Sequence, residues 1–76
     1  MEKGKPEVML TDQIGTTAGA VYRHLETKGE ATVSQLQKSV KAPNPSLIPM
    51  AIGWLAREGK ISEHQVGKAV RIRLNT

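Results

Sequence analysis

The sequence predicts an α+β fold: three helices and a C-terminal β-hairpin gathered on one core. Three observations predict it. Apolar residues recur at helical spacing in three stretches, 14–25, 33–40 and 47–55. A proline-rich hexapeptide, KAPNPS (41–46), separates the second stretch from the third. Val70, Ile72 and Leu74 then alternate with Arg71 and Arg73, the period-two pattern of a half-buried strand.

Residues 1–10 come first. MEKGKPEV is polar, charged and broken by Gly4 and Pro6, so 1–10 is expected as a flexible tail, with Val8, Met9 and Leu10 available to dock on the body. Residues 11–76 are expected as the folded domain. The first helix runs over 11–28, capped by Thr11 or Asp12 and ended by Gly29, with Ile14, Ala18, Val21 and Leu25 on its apolar stripe. Gly15 and Gly19 each weaken a helix interior by roughly 1 kcal/mol relative to alanine, which points to close packing against another helix, within the fold or across a dimer. Tyr22 flanks the stripe and is expected to be half buried.

The second helix opens on Thr32. Gln35 sits three residues on, so the pair can form a capping box. Val33, Leu36 and Val40 form its stripe, Lys38 lies on its outer side and Lys41 at its end. Pro43 and Pro45 keep the following turn out of helical conformation. With Ser46 as N-cap of the third helix, Pro49 falls at the third helical position, where no intrahelical donor is lost. The core face of this helix is then Leu47, Ile48, Ala51, Ile52 and Leu55. The outer face is Pro49, Met50, Gly53 and Arg57, with Trp54 and Ala56 at the flanks. Trp54 is expected to close the core edge under the hairpin. Gly59 supplies a left-handed C-cap. Ile61 opens the first hairpin strand and Gly67 the turn. A turn at Gly67-Lys68 pairs Ile61 with Leu74 and puts His64 on the side of Arg71 and Arg73.

Two helices joined by a tight turn, the second followed by a β-hairpin, are the parts of a helix-turn-helix with a wing. The runs IGTTAGAVYRHLETKGEATVSQLQKSV (14–40) and AIGWLAREGKI (51–61) resemble the winged helix-turn-helix superfamily, and more closely a family of very short bacterial winged-helix proteins of unassigned function. The resemblance covers roughly 12–74. It implies a short strand at Ala31-Thr32 beside the wing. KAPNPSLIP departs from the pattern: most winged helices carry a glycine-containing turn there and a helix free of proline.

Composition narrows the function classes. The chain has 76 residues and no cysteine, so one small core has neither disulfide nor thiolate metal support, and a reducing cytoplasm is the natural reading. No apolar run reaches membrane-spanning length. His24 and His64 lie on different elements, with no ligand cluster beside them, so no metal is expected. No cofactor motif and no nucleophile with a general base appears, so neither a cofactor nor an enzyme is expected. The charge is uneven. Residues 1–30 carry four basic and five acidic side chains, net −1; residues 31–76 carry seven and two, net +5.

A basic half suits a polyanion. The sequence therefore points to duplex DNA, met by Lys38 and Lys41, by Asn44 and Ser46 in the turn, by Arg57, and by Lys68, Arg71 and Arg73 on the wing. The outer face of the third helix offers no base-reading side chain in its N-terminal half. Met50, Gly53 and Trp54 instead suit a protein partner or a homodimer, the second function class.

Overall fold

The computed structural model describes residues 9–75; residues 1–8, most of the expected tail, and Thr76 lie outside them. The element order is α1 (Leu10–Lys28), β1 (Glu30–Thr32), α2 (Val33–Ser39), α3 (Leu47–Arg57), β2 (Ile61–Val66) and β3 (Ala69–Leu74). The three strands form one antiparallel sheet in the order β1-β3-β2. Helices and sheet enclose a single core built on Val21, Leu25, Leu36, Leu47, Ile48 and Ile72. Each such aliphatic side chain contributes roughly 1.5–3 kcal/mol by leaving water.

α1 starts one residue earlier than expected. Met9 holds the N-cap position without a side-chain bond, so neither Thr11 nor Asp12 caps the helix. Both already lie inside the first turn, where the Asp12 carboxylate meets the positive end of the helix dipole. Met9 and Leu10 do not dock on the body: they remain 64% and 54% exposed. Further along, Ala18, Val21 and Leu25 are buried as the stripe requires, while Ile14 is half buried.

Trp54 packs partly buried against the core, as expected of a residue closing its edge. Its ring reaches α1 at Gly15: a Cβ added there would stand 3.8 Å from Trp54 Cη2 and Cζ2. α1 packs along α3, and the bare backbone at Gly15 gives the indole a seat on its flank. That distance is an ordinary van der Waals contact, so the helix approach does not itself require glycine. At Gly19 an added Cβ would meet only Arg23 Nη1, at 3.6 Å.

α2 begins as its sequence dictates. Gln35 N donates to Thr32 Oγ1 at 3.1 Å and Thr32 N donates to Gln35 Oε1 at 2.9 Å, the reciprocal capping box. The residues just before it form β1, paired to β3 with Ala31 opposite Ile72. One short segment thus ties the sheet to the helix-turn-helix.

Ser46 occupies the N-cap of α3, but its hydroxyl makes no cap bond. Asn44 organises the entry instead. Its Oδ1 accepts from Ser46 N at 2.8 Å and its carbonyl accepts from Leu47 N at 3.0 Å, while Pro45 O accepts from Ile48 N at 3.1 Å. Pro49 is then the third helical residue, where it costs no hydrogen bond. At the other end Gly59, at φ +72°, donates to Ala56 O, and Lys60 N donates to Leu55 O, the two bonds of a Schellman cap. Asn75 closes this corner, donating from its backbone N to Lys60 O at 2.8 Å and from Nδ2 to Gly59 O at 3.1 Å.

The hairpin register is the expected one, with Ile61 opposite Leu74 and His64 opposite Arg71. Gly67, at φ +63°, makes the turn. Ile61 and Ile72 are buried, whereas Leu74, like Ile52 of α3, packs at the core margin and stays partly exposed.

Candidate nucleic-acid interface

The sequence-predicted contact residues fall into three places. The first is the end of α2 and the turn after it, where Lys38, Lys41, Asn44 and Ser46 follow one another and all are exposed. Their order is fixed by the capping box at one end of α2 and the Asn44 turn at the other. The second is the crown of α3. Pro49, Met50, Gly53 and Arg57 are all exposed there, Met50 at 42%, and Trp54 is half buried on α1. Arg57 lies eleven residues beyond Ser46, so about 16 Å of helix separates it from the turn. It does not join that cluster.

The third place is the sheet. Residues opposite one another in an antiparallel ladder project to the same side. The registers therefore put Glu30 and Thr32 of β1, Arg71 and Arg73 of β3, and Ser62 and His64 of β2 on one face. Lys68 sits at the exposed wing tip. This face is less basic than the sequence reading expects, because β1 adds a carboxylate to it. Glu30 Oε1 lies 3.6 Å from Arg71 Nε and 3.8 Å from His64 Nε2, with each side chain a little over one third exposed. Arg73 is exposed, so the two wing arginines are not equivalent. Arg71 meets an anion only in competition with Glu30.

Sequence reasoning also passed over basic side chains on α1. Arg23, His24 and Lys28 face Lys41 across a concavity between α1 and the end of α2. Averaged charge hid them, since they belong to the half of the chain with net −1. Their spacing, 23, 24 and 28 on one side of a helix, is the signal that could have found them.

Other chemistry is sparse. Among the described residues no group of three or more His, Cys, Asp or Glu could hold a metal ion. No helix among them is long and apolar enough to cross a membrane.

A tight turn between α2 and α3, with a hairpin wing paired back to a short strand, defines a winged helix-turn-helix domain. The comparison with known families agrees. The chain belongs to the winged helix-turn-helix domain family DUF2582, whose family model matches residues 9–74. It is also similar to an uncharacterised protein, MJ1608, of Methanocaldococcus jannaschii. The two are 49% identical over 51 residues, which span 64% of this chain and 71% of the relative. That relative is archaeal, so the likeness is not confined to bacteria.

Proposed function

We propose that this domain is a binding module, not an enzyme, and that it holds duplex DNA chiefly by its phosphates, as a small regulator or a weakly specific DNA-binding protein. The observation that carries the reading is the pairing of a basic helix-turn-helix and wing with an α3 crown that lacks base-reading side chains. Lys38, Lys41, Lys68 and Arg73 are exposed cations on the elements that would flank a duplex, and Arg71 is a fifth once Glu30 is displaced. Phosphate contacts position a protein on DNA and carry no sequence information.

The test is fluorescence anisotropy of a labelled duplex over a range of salt. Four neutralised phosphates give a slope of log K against log salt of about −3.6, and five give about −4.5. Replacing Arg71 and Arg73 together by alanine should weaken binding to all duplexes alike and flatten the slope. A strong preference for one sequence that survives the double change would mean that α3 reads bases. Absence of binding at low salt would remove the reading.

One observation favours a second reading. Met50 is 42% exposed, and an added Cβ on neighbouring Gly53 would meet nothing within 4 Å. Together with half-buried Trp54 they offer an open apolar surface to a second copy or a protein partner. Sedimentation separates the two readings. A monomer at high protein concentration that binds DNA leaves the first, and a dimer that Met50→Lys dissociates, without DNA binding, leaves the second.

A further inference from the structure

The concavity between α1 and the end of α2 has a volume of about 410 Å³, and of its lining only Lys41 belongs to the proposed duplex contacts. It exists because α1 and α2 scarcely touch; each leans on other parts of the core. Its polar walls are Arg23, His24, Thr27 and Lys28 from one side and Ser39 and Lys41 from the other. Among the described residues no carboxylate lines it. Among the described residues no Asp or Glu lies within ion-pair distance of Arg23, Lys28 or Lys41. The nearest acidic neighbours are accounted for elsewhere. Glu26 lines a different hollow with Tyr22 and Arg73. Glu30 lines the adjoining hollow that shares His24, Lys28 and Ser39 with this one, but its carboxylate is drawn to Arg71 and His64 on the sheet.

Helix ends explain part of this charge. Lysines at helix C-termini answer a partial charge of about −0.5 at each end, and Lys28 and Lys41 are so placed. Two such ends balance roughly one positive charge, whereas three permanent cations surround the hollow. The terminal carbonyls are also partly satisfied already: Leu25 O accepts from Gly29 N at 2.8 Å and Leu36 O from Val40 N at 2.9 Å. Arg23 lies more than a turn from the end of α1, beyond the reach of that dipole. Thr27 Oγ1 already donates to Arg23 O at 3.1 Å, so a guanidinium, two ammonium groups, an imidazole and the Ser39 hydroxyl are the donors left for a phosphoryl anion.

We infer that this α1–α2 groove is a binding site for a multiply charged phosphoryl group, with Arg23, Lys28 and Lys41 as its cationic walls. The site shares Lys41 with the proposed duplex contacts but does not otherwise depend on the duplex reading, because Arg23, His24 and Lys28 lie on α1, away from the turn and wing. Two sources share its chemistry, a free phosphorylated small molecule and consecutive phosphodiesters of a nucleic acid.

The test is a ¹H–¹⁵N NMR titration of the full chain at low salt, first with pyrophosphate and then with a short duplex. Pyrophosphate should give saturable shifts at Arg23, His24, Lys28 and the amides from Ser39 to Lys41. The double change Arg23→Ala and Lys28→Ala should weaken that binding roughly tenfold or more, since each removes a charge-assisted bond. Arg73→Ala should leave it unaltered. Lys41→Ala tests the site from its other wall, should the double variant fold poorly. A duplex that shifts the same resonances and is competed by pyrophosphate identifies phosphodiesters as the source. A duplex that leaves the groove silent, while pyrophosphate fills it, identifies a free phosphorylated ligand. Pyrophosphate shifts that spread over all lysines, do not saturate and survive both variants would overturn the site, as would no shifts at all. Loss of duplex binding at the turn and wing, with pyrophosphate still bound, would sink the DNA reading alone.

Discussion

Replacing Gly53 with alanine probes the outer face of α3 by stability and by binding at once. Gly53 lies in the middle of Leu47–Arg57, is exposed, and has none of the positive-φ backbone that marks Gly29, Gly59 and Gly67. A Cβ built there meets nothing within 4 Å. No steric term therefore opposes the change, and helix propensity decides its sign. Glycine in a helix interior is less favourable than alanine by roughly 0.5–1 kcal/mol. For a domain of this size that gain should raise Tm by about 2–8 °C. Thermal melts followed by far-UV circular dichroism measure it, with urea titration as a second route. A fall in Tm would refute the reasoning, because it would mean that the position is crowded or not helical. The same variant also reports on function. If a duplex backbone or a second copy approaches the crown of α3, the added methyl should weaken that complex although the fold is firmer. If binding rests on phosphate contacts from the turn and wing, affinity should stay unchanged.

Leu55 is 4% exposed in the centre of the helix packing, so Leu55→Ala should cost about 2–5 kcal/mol in a urea titration, a large part of a small domain's stability; a loss below about 1 kcal/mol would show the burial to be wrong. Glu30→Gln should release Arg71, leave stability within about 1 kcal/mol because the pair is partly exposed, and steepen the salt slope of duplex binding by about one unit. In the unaltered chain Arg71→Ala should then weaken duplex binding less than Arg73→Ala, and the difference should vanish in the Glu30→Gln background. Equal losses in both backgrounds would show that Glu30 does not hold Arg71.

Most of the fold was legible in the sequence because its signals are local. The capping box at Thr32 and Gln35, the proline turn, Gly59 and the alternation over β3 are each complete within a few residues. The register followed from one turn glycine. What the sequence did not display were the contacts between distant segments. Trp54 flanks the α3 stripe in any helical wheel, but only the side-by-side packing of α1 and α3 decides that its ring meets Gly15. Likewise Glu30 and Arg71 are forty-one residues apart, and nothing local to either announces that β1 brings a carboxylate onto the wing face. The α1–α2 groove escaped for the same reason. Its charges come from a helix whose overall charge gave no hint of them, and they meet Lys41 only after folding.

The entry to α3 also sets how selective any duplex complex can be. An asparagine reads adenine by presenting its carbonyl and amide together in the major groove. Asn44 is the residue best placed in sequence to do this, yet its Oδ1 accepts from Ser46 N at 2.8 Å, in the bond that closes the turn across Pro45. Turning the carboxamide toward a base edge would release that bond and loosen the entry on which Leu47 and Ile48 depend for burial. Ser46 offers a single hydroxyl, which suits a phosphate as readily as a base. Pro49, Met50 and Gly53 next along the crown have no side-chain hydrogen-bonding donors. That leaves Arg57, about three turns further on, as the one side chain on the crown able to make a bidentate contact. One such contact would discriminate by about 1–3 kcal/mol, whereas the exposed lysines and Arg73 would act on every sequence alike. The same proline-rich turn that starts the helix without a lost hydrogen bond thus withdraws the helix's own polar reader.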